Sequence, residues 1–169
     1  MQDTVVTAQS IRPTPRFLLA HPAHFIALGF GTGLSPVAPG TVGTLLAFPL
    51  YAALSNFYAP MEILFLVPGL FAIGLWACQR TGVDLGVADH GSMVWDEIVA
   101  FLLVLVFAPE GFFWQLGAFL WFRFFDITKP APIRDLERRF KNGFGVMADD
   151  ILAAFYTIVV LALFKRVLG

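Results

Sequence analysis

Hydrophobic residues run through this chain in long uncharged blocks, not in the alternation of a half-buried strand or the narrow stripe of a surface helix. From Phe17 to Met61 no Asp, Glu, Lys or Arg interrupts the sequence, and from Ile63 to Gln79 none does. The second half of the first block, Val42 to Ala59, approaches the roughly 20 apolar residues that a bilayer core requires, and Pro60 with Glu62 marks a turn before the next block. Between Ile98 and Phe122 the only charge is Glu110, set in Ala108-Pro-Glu-Gly111, where proline, charge and glycine together break a helix. The last block, Ile151 to Phe164, stops at Lys165-Arg166. The pattern predicts an all-α, multi-pass helical membrane protein. It has about four to five membrane-embedded helices, including a short hairpin around residues 98–122.

Composition strengthens the reading. Of the 169 residues 58% are hydrophobic and 14% charged, against roughly 45–50% and 25% in soluble domains. A chain with mean hydropathy +0.77 cannot clothe itself in polar side chains. Disorder, a nucleic-acid binder and a secreted disulfide scaffold are excluded on the same ground. Cys78, the single cysteine, lies among apolar neighbours and reads as structural. Residues 1–16 read as a flexible cytoplasmic tail and 17–169 as one helical domain. Basic residues favour the cytoplasmic side: Arg12 and Arg16 in the tail, and Lys129, Arg134, Arg138, Arg139 and Lys141 in the most basic loop. If residues 98–122 cross twice, both polar loops, Arg80 to Asp96 and Arg123 to Asp149, face the cytoplasm. A soluble bundle burying its apolar stripes in an oligomer is the competing architecture.

Those two loops carry the chemistry. Asp96-Glu97 opens one apolar helix and Asp149-Asp150 opens another; a helix N-terminus favours negative charge, which accounts for one carboxylate of each pair. Adjacent side chains point to different sectors, so the second must turn toward protein or lipid. Crowded carboxylates repel one another, and a divalent metal is the usual resolution. Oxygen ligands without cysteine suit Mg²⁺. His90 reads equally as a ligand, an acid or a turn residue. Lys129, Arg134 and Arg123 lie beside Asp126 and suit a phosphate, while Arg138, Arg139 and Lys141 suit anionic lipid headgroups. The segment Gly29 to Thr44 reads in two ways. It is a phosphate cradle presenting backbone N–H groups and the hydroxyls of Ser35 and Thr41, or a helix-start turn with Thr41 as N-cap.

Three segments in order resemble the phosphatidylglycerophosphatase A family over roughly residues 17–166: Ser35-Pro-Val-Ala-Pro-Gly-Thr-Val-Gly-Thr44, Asp89-His-Gly-Ser-Met-Val-Trp-Asp-Glu97, and Arg123-Phe-Phe-Asp-Ile-Thr-Lys-Pro-Ala-Pro-Ile-Arg134 followed by Gly143-Phe-Gly-Val-Met-Ala-Asp-Asp150. The resemblance implies a bacterial inner-membrane enzyme that removes the terminal phosphate of phosphatidylglycerophosphate with Mg²⁺, its active site on the cytoplasmic side. It implies that Asp96, Glu97, Asp149 and Asp150 hold the metal, with Asp89 and Asp126 nearby as further ligands or acids. Lys129 and Arg134 then bind phosphate. Catalysis falls to Asp96, Asp149 and Asp89, by activating water or through an aspartyl-phosphate on Asp96 or Asp149. The rival function is a transporter or proton pathway built on the same carboxylates, which calls for an acid in mid-helix and often an internal repeat.

Overall fold

The computed structural model describes residues 12–140 and 142–168, apart from the side chains of residues 136–138 and 168. The readings placed on residues 1–11, on the Arg138 side chain and on Lys141 lie outside the described residues. Among the described residues the chain is helical throughout. It begins with α1 (Pro15–Ala20), α2 (Pro22–Ala27) and a 3₁₀ segment over Gly29–Leu34. Then come α3 (Pro39–Ser55), α4 (Pro60–Leu85), α5 (Trp95–Phe107), α6 (Phe112–Thr128), α7 (Ile133–Arg139) and α8 (Gly143–Leu168).

Proline and glycine set most of the boundaries. α3 and α4 each start with proline in the first turn, where its missing N–H is no loss. Glu62 completes the start of α4, its Oε2 accepting from the Ala59 N–H at 2.7 Å. Gly86, at φ 72°, ends that helix in the left-handed conformation that glycine adopts without penalty. The break expected at residues 108–111 is present: α5 and α6 are the two arms of a hairpin.

α5 is the axis of the fold. Its sequence Ile98-Val-Ala-Phe-Leu-Leu-Val-Leu-Val-Phe107 has no polar face, and a helix apolar all round must be enclosed. α3, α4, α6 and α8 pack around it, and Ile98, Val99, Ala100, Phe101, Leu102 and Val104 are fully buried. The outer surface is apolar as well: Phe65 on α4, Phe112 and Phe113 on α6 and Phe57 in the turn before α4 are each at least 72% exposed. α4 and α8 are long and apolar enough to cross a membrane. The 17-residue α3 and α6 and the 13-residue α5 are shorter.

Two expectations about helix starts are corrected. Thr41 is not an N-cap: α3 begins at Pro39 behind Ala38, and Thr41 lies inside its first turn. Asp149 and Asp150 do not open α8, which starts at Gly143; Asn142 Oδ1 accepts from the Phe144 and Gly145 N–H groups and Gln79 Oε1 from the Gly143 N–H. That terminus is already satisfied, so the helix end does not explain the two aspartates. In addition, Pro15 and Arg16 belong to α1, capped by the Thr14 hydroxyl, and not to a loose tail.

Close helix approach at glycine yields a stability prediction. A Cβ on Gly33 would run into the Ser92 carbonyl oxygen, which is backbone and cannot swing away, whereas a Cβ on Gly69 in α4 meets nothing within 4 Å. Gly33→Ala should cost about 1–3 kcal/mol and lower the thermal midpoint in detergent. Gly69→Ala should leave it unchanged or raise it.

Candidate metal centre

Three helices bring carboxylates together at one end of the bundle. Glu97 comes from the first turn of α5, Asp126 from the last turn of α6 and Asp150 from the second turn of α8, and one oxygen of each lies within 4.8 Å of the others. The end of α6 is the wrong end for an anion, because the exposed carbonyls there already carry partial negative charge. Arg123, one turn earlier, supplies the compensation. Its Nη1 donates to Asp126 Oδ2 at 2.5 Å and to Glu97 Oε1 at 2.8 Å, tying α6 to α5. The Thr44 hydroxyl of α3 stands 3.5 Å from the same nitrogen and itself donates to the Gly40 carbonyl at 2.8 Å.

α3 reaches this site because it has no side chains in the way. A Cβ on Gly40 would collide with the Glu97 carboxylate, and one on Gly43 with the Val94 side chain. Gly40, Gly43 and Thr44 fall at helical spacing on one face, so the Gly-Thr-Val-Gly-Thr segment serves the site by close approach. Sequence reasoning missed Gly40, Gly43 and Thr44 in this role; their three-and-four spacing was the available signal.

The remaining acids surround the three. Asp149 takes an ion pair from Lys129 Nζ at 2.6 Å. Lys129 ends α6 at φ 43°, a conformation that costs a non-glycine residue about 1–2 kcal/mol. The Asp149 pair offsets that cost. Asp96, 7% exposed, lies within electrostatic reach of Asp89, Glu97 and Asp149. Asp89 is exposed on the loop before α5. Several buried carboxylate oxygens have no hydrogen-bond partner: Asp96 Oδ1, Glu97 Oε2 and Asp150 Oδ2. Such orphaned acceptors are expensive in a dry interior unless a cation meets them. An all-oxygen donor set of this kind fits a hard divalent ion, so Glu97, Asp126 and Asp150 are the residues that could hold one, with Asp96 adjacent.

Of the residues singled out from the sequence, Asp96, Glu97, Asp126, Asp149, Asp150, Arg123 and Lys129 come together here. Others do not join them. Arg134 donates to the Thr128 carbonyl at 3.2 Å, Ser35 donates to the Val37 carbonyl at 2.8 Å, and Thr41 has no hydrogen bond to the acids. Asp84, from the first acidic segment, forms a separate clamp instead: it accepts from Arg80 at 2.9 Å and meets His24 Nε2 at 2.8 Å, joining α2 to α4. His90 is buried, its Nδ1 accepting from the Ser92 N–H at 3.1 Å, and burial pushes its pKa below the usual 6.5.

Comparison with known proteins agrees with the motif resemblance. A family model described as Phosphatidylglycerophosphatase A matches residues 25–165. A Haemophilus influenzae protein named phosphatidylglycerophosphatase A is 44% identical over 150 residues, covering 88% of this chain and 92% of the relative. An Escherichia coli protein of the same name is 39% identical over 148 residues, covering 86% and 85%. A Bacteroides thetaiotaomicron protein, 37% identical over 151 residues, has the provisional name phosphatidylinositol-3-phosphatase. No solved structure matches the chain.

The site geometry makes two predictions. Gly40→Ala displaces the Glu97 carboxylate and should weaken Mn²⁺ binding, measured by calorimetry, about tenfold; Gly117→Ala, where a Cβ meets nothing within 4 Å, should not. His90 is neutral in the native fold at neutral pH. Because its folded pKa is depressed, the stability it contributes is present above 6.5 and is lost as pH falls through the lower folded value. Its imidazole should titrate below 6.5 by NMR.

Proposed function

This chain belongs to the phosphatidylglycerophosphatase A family, and on that premise we infer that it removes the terminal phosphate of phosphatidylglycerophosphate, leaving phosphatidylglycerol and inorganic phosphate. The reaction is hydrolysis of a phosphoric monoester in phospholipid synthesis. The observation that carries the chemistry is the set of buried, unpartnered carboxylate oxygens on Asp96, Glu97 and Asp150 around the Glu97, Asp126 and Asp150 cluster.

Glu97, Asp126 and Asp150 hold Mg²⁺ in this reading. When bound, the ion polarises the phosphate oxygens and draws charge away from phosphorus. Arg123 fixes the separation of Glu97 and Asp126 and neutralises part of their charge, so it acts here as a positioning residue more than as a direct phosphate ligand. Lys129, paired with Asp149 at the mouth, offers an ammonium to the incoming phosphate. Asp96 is the carboxylate left over from the cluster and takes the proton of the attacking water. A water oxygen bonds to phosphorus as the phosphorus–glycerol oxygen bond breaks, and the glycerol oxygen leaves as a hydroxyl after taking up a proton. Asp89, at the rim, contacts the part of the substrate beyond the phosphate.

The membrane arrangement follows the same reading. α3, α4, α5, α6 and α8 cross the bacterial inner membrane, with the carboxylate end toward the cytoplasm and the turns at residues 56–59 and 108–111 toward the other side. The basic residues of the α6–α7 region support that orientation. A transporter reading would need carboxylates along a path through the bundle. The acids instead gather at one end of it.

Asp150→Asn tests the centre. Mg²⁺-dependent phosphate release from phosphatidylglycerophosphate in detergent should fall more than about hundredfold. Added Mg²⁺ should raise the thermal midpoint of the native protein and not that of the variant. Full activity in Asp150→Asn would overturn the assignment.

A further inference from the structure

The residues just ahead of α1 form one wall of a cavity. Arg12 and Pro13 face the loops Leu34–Pro39 and Val87–Ser92 across a space of about 480 Å³, with Ser35, Asp89, His90 and Ser92 among its polar lining. Several contacts fix the segment that follows Arg12. Thr14 caps α1, His24 Nδ1 meets the Phe17 carbonyl at 3.0 Å, and the same imidazole is held from its other side by Asp84. Pro13 and Pro15 restrict the backbone on either side of that cap.

The cavity adjoins the metal centre at two points. Pro39 lines it, and the next residue, Gly40, abuts Glu97. Asp89 lines both this cavity and a second one of about 210 Å³ that reaches Asp149. Apolar side chains are exposed on the same segments: Val37, in the loop Leu34–Pro39, is 74% exposed and Leu19 on α1 is 75% exposed, surfaces suited to the boundary between headgroups and acyl chains. The cations nearer the acids are engaged with protein groups: Arg80 with Asp84, Arg123 with Glu97 and Asp126, and Arg134 with a backbone carbonyl.

A lipid carrying a phosphate monoester beyond a glycerol bridge presents three groups in line: the monoester, the bridging hydroxyl and a phosphodiester. We propose that the Arg12 cavity is the subsite for the phosphodiester. The Arg12 guanidinium meets its negative charge, and Asp89 accepts a hydrogen bond from the bridging hydroxyl between the two cavities. This rests on the phosphatase reading above and deepens it: Arg12 makes the enzyme prefer a lipid with two phosphates over a free phosphate ester.

The test is Arg12→Gln in the full-length, detergent-solubilised protein, assayed on short-chain phosphatidylglycerophosphate with inorganic phosphate as a competing probe. KM for the lipid should rise at least about tenfold, the value of one charge-assisted hydrogen bond. kcat should change less than about twofold, and the inhibition constant of inorganic phosphate, which occupies only the monoester site, should stay the same. Arg12→Lys should recover part of the loss. An unchanged KM, or a phosphate inhibition constant that rises in parallel, would overturn the subsite and leave the phosphatase assignment intact. Absence of phosphate release by the native protein would instead remove the assignment on which the subsite depends.

Discussion

Electrostatic repulsion among buried carboxylates is the constraint around which this fold is arranged. Asp96, Asp126, Asp149 and Asp150 are each at most 8% exposed, and Glu97 joins them. Arg123 and Lys129 pair with three of the five. The rest of the bundle serves to keep that unfavourable group in place: an apolar α5 carries Asp96 and Glu97, glycines let α3 close over them, and a capped α8 N-terminus delivers Asp149 and Asp150 two turns down. Clustered acids of this kind, with buried oxygens that meet no hydrogen-bond partner, are costly unless a proton or a cation meets them.

Much of this was legible in the sequence. The uncharged blocks gave the long helices, and Pro109 with Gly111 gave the hairpin, because bilayer length and backbone breakers act locally. The acidic clusters were legible as a candidate site, because a helix start accounts for only one carboxylate of each adjacent pair. The helix starts were less readable. Asp149-Asp150 looks like a helix opening only until Asn142 and Gln79 are found performing that task, and Gln79 is distant in sequence. Arg123 looked like a phosphate ligand, and its pairing with Glu97 needs the α5–α6 hairpin closed in three dimensions.

Gly40 and Gly43 show the same limit from the other direction. A glycine-rich segment suggests a flexible loop that cradles an anion, yet these two are helical and matter for what their missing side chains permit. Close approach is a property of two surfaces, and only one of them is visible at a time along a sequence. Arg12 likewise belongs to a polar N-terminal stretch until the fold places it on the wall of a cavity shared with Asp89 and His90.

α5 has 13 residues, about 20 Å at 1.5 Å per residue, with Asp96 near one end and a polar turn at the other. The hydrocarbon core of a bilayer is roughly 30 Å thick. Were the bundle embedded as proposed, its hydrophobic thickness at the α5 axis would fall below that of the bilayer, and lipids around the carboxylate end would be pulled toward the midplane. In that setting membrane thickness would be a mechanical variable acting on the fold, and longer acyl chains would deepen the mismatch beside the acids.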